Sequence, residues 1–188
     1  MLSRKNQMKP KRVDPAKVIQ LIAALNAAIW LGGSAFFTFI AGPAVFSSEL
    51  GTILPNPENG IAARFMIGKF TAFQMACAAI SVISLLISWR FKLLNHLNQL
   101  ALLLFFIILF LGIGALFLTP KMDALFQLKY ADYFELQATS EEKESASKTF
   151  GQLHGISQVG NLLVLIGLLV NFILCWKTAT NPRETIVH

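Results

Sequence analysis

Residues 100–118 read LALLLFFIILFLGIGALFL, nineteen positions without one charged or hydrogen-bonding side chain. A run of that length fits a bilayer-crossing helix, because the hydrocarbon core takes about 20 apolar residues and tolerates no unpaired backbone polar group. Three more apolar runs, at 18–42, 66–89 and 151–176, are less uniform but long enough for the same purpose. With the first run placed at 96–119, the chain alternates four apolar segments with polar connections. Composition agrees: 55% of the 188 residues are hydrophobic and only 14% are charged, too apolar for an ordinary soluble domain. The expected fold is therefore all-α, an integral membrane four-helix bundle spanning 18–177, with a basic tail before it (1–17) and a short tail after it (178–188). The lipid bilayer is its first partner.

The leader carries Arg4, Lys5, Lys9, Lys11, Arg12 and Lys17 against the single acid Asp14. A signal peptide also starts with positive charge, but the apolar run that follows exceeds the roughly 7–15 residues of a signal core, so it reads as a retained first span. Within it Asn26, Trp30, Gly33 and Phe37 share one helical face, predicted to look into the bundle. Gly32, Gly33, Ser34 and Ala35 would let a neighbouring helix approach closely. Pro43 predicts an end or a kink, and the turn formers from Pro55 to Gly60 a loop. The second helix starts near Ile61, with Arg64 and Lys69 snorkelling from its first turns. Its small and polar face consists of Gln74, Cys77, Ala78, Ser81, Ser84 and Ser88. A short basic connection with Arg90 and Lys92 turns the chain back into the third helix, which Pro120 ends or kinks. Residues 121–148 predict a helical excursion outside the membrane, with Asp123, Asp132 and Glu135 on its solvated face. Thr139 followed by Glu142 fits a capping box that would start a helix running on into the fourth span.

Basic residues orient the bundle. With both termini and the second-to-third connection on one side, ten Lys and Arg lie there, against six opposite (Arg64, Lys69, Lys121, Lys129, Lys143 and Lys148). The positive-inside rule then places both termini in the cytoplasm and the excursion outside, in a cell membrane, plasma or bacterial inner. The basic tail would contact anionic lipid heads, at about 1 kcal/mol per Lys or Arg near the surface.

The fourth span opens on FGQLHGISQVGN, and in a helix His154, Ser157, Gln158 and Asn161 fall on one stripe in its outer half. Polar groups inside a membrane either line a cavity or bond neighbouring helices together. The facing residues predicted for the stripe are Gln74 on the second helix and Ser34, Thr38 and Trp30 on the first. A soft-metal site would draw on Met66, Met75, Cys77, His154 and Cys175, whose depths and faces disagree, and His96 and His154 lie at opposite surfaces, which rules out a shared haem. No metal or other cofactor is predicted. Neither a catalytic triad, nor HExxH, nor a phosphate loop, nor an intramembrane carboxylate pair occurs, so no enzyme is predicted. Nucleic-acid binding lacks the aromatic interleaving that would support it.

The segments FFTFIAGPAVFSSELG, LTPKMDALFQL and EKE followed by FGQLHGISQVGNLL resemble the transmembrane protein 205-like family over about residues 29–173. The resemblance implies a small four-helix membrane domain of unsettled activity with a weak association with tolerance of platinum-type metal compounds. The cysteine beside the stripe asparagine in some eukaryotic relatives is replaced here by Gly160. Two functions are carried forward. One is a non-enzymatic interaction or assembly bundle, with a membrane protein or a second copy as partner. The other is a small transporter or metal and drug tolerance factor with an outward polar cavity.

Overall fold

A computed structural model describes residues 14–91 and 97–180. The basic leader before Asp14, the connection that carries Lys92 and His96, and the tail from Asn181 lie outside the described residues. Among the described residues all regular structure is helical: α1 (Pro15–Val45), a short α2 (Ser48–Ile53), α3 (Glu58–Arg90), α4 (Leu97–Lys129) and α5 (Ser140–Thr180). The four long helices are each long and apolar enough to cross a membrane, which makes this a multi-pass membrane protein.

Helix α1 starts at a cap the sequence supplies. Asp14 Oδ1 accepts the Ala16 N–H at 3.0 Å, and Pro15 takes the first helical position, where no N–H is needed. Pro43 does not end the helix where it stands. The five residues Phe37–Ala41 widen into a π turn, in which Gly42 N–H reaches back to the Phe37 carbonyl, and helix continues to Val45. Helix α4 repeats the device. Gly114–Leu118 form a π turn, Thr119 donates both its N–H and, at 3.0 Å, its hydroxyl to the Gly114 carbonyl, and the helix runs through Pro120 to Lys129. In both cases the proline sits two residues beyond the π turn. The wider turn rearranges the backbone bonding just where the proline withholds a donor, so the interruption is absorbed locally.

The first part of the predicted excursion is thus a continuation of α4. It ends in a tight turn closed by Leu136 N–H to the Ala131 carbonyl at 2.8 Å, with Glu135 at φ 54°. The capping box forms as its spacing predicts: Thr139 N–H meets Glu142 Oε2 at 2.7 Å, and Glu142 N–H meets Thr139 Oγ1 at 3.2 Å. From there α5 continues without a break to Thr180.

The long helices close a ring in which α1 packs on α3 and α5, and α4 completes the circle between those two. The predicted inward faces of the first two spans are the ones buried. Trp30 is fully buried, and on α3 Gln74, Cys77, Ala78, Ser81, Ser84 and Ser88 all face inward. Gly33 lets Phe73 approach so closely that a Cβ there would lie 2.7 Å from the ring, and Phe37 stacks on Phe70 with centroids 4.1 Å apart. Leu100, Leu104 and Ile107 of α4 and Val164 and Leu168 of α5 complete the core. The outer faces display large apolar side chains such as Leu25, Ile29, Ile83, Phe105 and Ile166, as contact with acyl chains demands.

The end of the bundle distant from the termini is held differently. Phe126 fills the space over Gly60 and meets Tyr130, Phe134 and Phe150 with ring centroids 5.0–6.1 Å away. Arg64 lies over the Phe126 ring and forms an ion pair with Asp123 at 2.6 Å. Asp132 pairs with Lys143 at the same distance. Two of the acids predicted as a plain solvated face therefore tie α4 to α3 and the turn to α5.

Candidate functional site

The polar stripe of α5 divides in two. Asn161 Nδ2 donates to Thr38 Oγ1 on α1 at 2.8 Å, and half-buried Ser157 lies one turn away. His154 and Gln158 instead remain exposed on the bundle surface, with His154 Nε2 and Gln158 Nε2 3.1 Å apart and the imidazole stacked on Phe150. His154 was predicted to meet Gln74, Ser34 or Thr38; its partner is Gln158, one turn along its own helix. The cause is axial register. With Asn161 level with Thr38 on these antiparallel helices, His154 lies seven residues further along, level with Val45 at the end of α1 and about two turns from Thr38.

The facing residues are placed where the sequence puts them, inside the ring, but they do not join the stripe as a group. Thr38 alone bonds to it. Gln74, Ser34 and Trp30 are buried, and the Ser34 hydroxyl and Trp30 indole N–H have no hydrogen-bond partner among the described residues. On the exposed side, Gly151 and Gly155 flank His154, and a Cβ added at either would meet nothing within 4 Å. That surface combines a donor and acceptor pair with room for another backbone to come close.

A second polar region, of which only the α3 serines stand out in the sequence, lies at the termini end. Gln20 of α1, Ser84 and Ser88 of α3 and Asn171 and Thr178 of α5 line a cavity of about 30 Å³, with Leu100 and Leu104 of α4 closing it. Beside it Asn26 Nδ2 donates to both the Cys77 carbonyl and Ser81 Oγ at 2.9 Å, binding α1 to α3. The signal for this region was an isolated carboxamide within an apolar run, Gln20 in VIQLI and Asn171 in LLVNFIL. Such a residue is costly to bury unless it finds a partner.

Chemically the cavity offers amides, hydroxyls and the Cys175 thiol, groups that bind through hydrogen bonds. The thiols Cys77 and Cys175 are free and buried on different helices. Among the described residues no three His, Cys, Asp or Glu side chains come together as a metal site would require.

The family described as "Domain of unknown function (DUF4149)" matches residues 25–131, from the first half of α1 to the turn after α4. Helix α5, with the stripe and Asn171, follows the matched segment. No curated protein and no solved structure matches the chain. The family match spans more than half of the sequence, and the chain belongs to the DUF4149 family.

Proposed function

We propose that this protein is a non-enzymatic interaction or assembly bundle of the transmembrane protein 205-like kind, with both termini cytoplasmic and the Phe126 end outside. The spans would be those of the apolar runs, near 18–42, 66–89, 96–119 and 151–176. The observation that carries the reading is the exposed His154–Gln158 pair beside the open positions Gly151 and Gly155. A helix from another membrane chain could approach closely over the glycines and share hydrogen bonds with the pair. A second copy is the simplest such chain, because in a two-fold contact His154 of each copy can meet Gln158 of the other. The Asn161–Thr38 bond and the buried α3 face support packing as the role of the remaining polar groups.

Photo-crosslinking from position 158 in native membrane tests the reading. A discrete protein adduct, lost when Gly155→Leu blocks the approach, is the expected result. Adducts to lipid alone would refute it. The transport reading, with His154, Gln158 and Gln74 lining an outward cavity, draws less support because Gln74 is buried away from the exposed pair. Metal or drug accumulation compared between His154→Ala and wild type at equal expression decides it: reduced accumulation would favour transport over assembly.

A further inference from the structure

Two buried carboxamides border the termini-end cavity, and each has one buried polar atom without a hydrogen-bond partner among the described residues. Gln20 is 5% exposed and Asn171 1% exposed, and the orphaned atoms are Gln20 Oε1 and Asn171 Nδ2. The other end of the Asn171 amide is already engaged, its Oδ1 accepting from Cys175 Sγ at 3.9 Å. One orphan is therefore an acceptor and the other a donor, on helices at opposite ends of the sequence. Burying either without a hydrogen bond is unfavourable, and native structures seldom leave both.

We propose that this cavity is a binding site for water, one or two molecules held between Gln20 Oε1 and Asn171 Nδ2. The volume, about 30 Å³, has room for two molecules, since a single one needs roughly 10–15 Å³ measured in the same way. The lining matches too. A water donates to the Gln20 carbonyl and accepts from the Asn171 amide, and its remaining hydrogen bonds can go to the hydroxyls of Ser84, Ser88 or Thr178. A cation would fit the carbonyl and the hydroxyls, but it would face the Asn171 N–H donors and find no carboxylate among the lining residues. A larger polar solute would exceed the volume. The site links α1, α3 and α5 through a mobile molecule, in contrast to the direct bonds of Asn26. It stands independently of the assembly reading, because its residues lie at the other end of the bundle from His154.

The test uses the full chain with its asparagine side chains labelled, in nanodiscs of deuterated lipid. Cross-relaxation between water and the Asn171 side-chain amide is measured by nuclear magnetic resonance. The expected result is a water cross-peak of the sign produced by long-lived water, retained in Ser84→Ala and weakened several-fold in Gln20→Leu. No cross-peak in a chain whose backbone spectrum is intact would overturn the proposal, as would loss of the peak in Ser84→Ala, which would assign it to hydroxyl exchange. Thermal stability is also compared in sodium, potassium and N-methylglucamine buffers at equal ionic strength. Equal midpoints are expected, and stability that requires sodium or potassium would replace water with a cation. If Gln20→Leu alone fails to fold, the double variant Gln20→Leu with Asn171→Leu removes both orphans together, and it is expected to be folded and to show no cross-peak from long-lived water at any asparagine side chain. A retained long-lived peak would refute the assignment.

Discussion

Replacing Gly60 by alanine isolates the contact that fixes the end of the bundle distant from the termini. A Cβ at this position would lie 2.5 Å from Phe126 Cε2 and 2.6 Å from its Cζ, far inside the 3.5–4.0 Å or so at which carbon atoms attract. Phe126 is only 5% exposed, and Tyr130, Phe134, Phe150 and the Arg64 guanidinium surround its ring, so the ring cannot swing away cheaply. Forcing a methyl group into such a site costs about 1–3 kcal/mol. Gaining alanine in a helix returns at most about 1 kcal/mol. The net change is a destabilisation of about 0–2 kcal/mol, too wide a range to test alone. Gly68 of the same helix provides the reference, since it is exposed and a Cβ there meets nothing within 4 Å. Gly68→Ala should stabilise by up to about 1 kcal/mol, leaving a difference of about 1–3 kcal/mol between the two variants. Equilibrium unfolding in mixed detergent micelles measures it. Phe126→Leu trims the ring, so the Gly60→Ala/Phe126→Leu pair should lose less than the sum of the single losses, with a coupling of at least about 0.5 kcal/mol. Equal stability of Gly60→Ala and Gly68→Ala would refute the packing described for this end.

The remaining predictions concern single contacts. Thr139→Ala removes the hydroxyl that caps α5 and should lower stability by about 1 kcal/mol, with faster amide exchange confined to the first turn of that helix. Glu142, which accepts hydrogen bonds from the Thr139 backbone and then its hydroxyl, is held below the usual carboxylate range. A carboxyl depressed by folding stabilises fully above its unfolded pKa and loses that contribution as the pH falls through its folded value, so the protection of the first-turn amides of α5, taken relative to the intrinsic exchange rate at each pH, should fall on acidification, and protection that stays constant between neutral and acid pH would contradict the capping box. Thr38→Val and Asn161→Ala should couple by about 0.6 kcal/mol in a double-mutant cycle, the average for hydrogen bonds between membrane helices. Reporter fusions at the two termini should both signal from the cytoplasm, and an external signal from either would overturn the orientation.

Much of the bundle could be read from pattern because lipid makes each helix satisfy its own backbone. The inward faces of α1 and α3 follow directly from helical spacing: Asn26, Trp30, Gly33 and Phe37 on one, and Gln74 through Ser88 on the other. Spacing within one helix says nothing about its axial register against a neighbour, so it could not show that Asn161 comes level with Thr38 while His154 lies about two turns further on, at the end of α1. The prolines left a related choice open. Pro43 and Pro120 each signal a helix end or a kink, and the π turns that let the helix continue depend on hydrogen bonds to residues five positions back, as with Thr119 and Gly114. The termini-end cavity was harder still to foresee. Its lining comes from all four long helices, and only the packed ring brings Gln20 and Asn171 to the same space.

The two ends of the bundle are stabilised by different physics, and this difference bears on where the structure can yield. At the Phe126 end α3, α4 and α5 meet through Phe126, the Arg64–Asp123 and Lys143–Asp132 pairs and a capped helix start. Exposed ion pairs are worth little singly, but here they frame an aromatic contact so tight that a Cβ at position 60 would press into the Phe126 ring. The termini end has small hydroxyl side chains, two amides lacking protein partners and a cavity between the helices. Polar contacts there can be exchanged for others, whereas the Phe126 contact can only be made or broken. A movement of one helix against the rest would therefore start at the termini end, pivoting about the aromatic cluster. Trp30 and Leu168, both fully buried, form the dry layer between the two regions, and a substitution there would be felt at both ends.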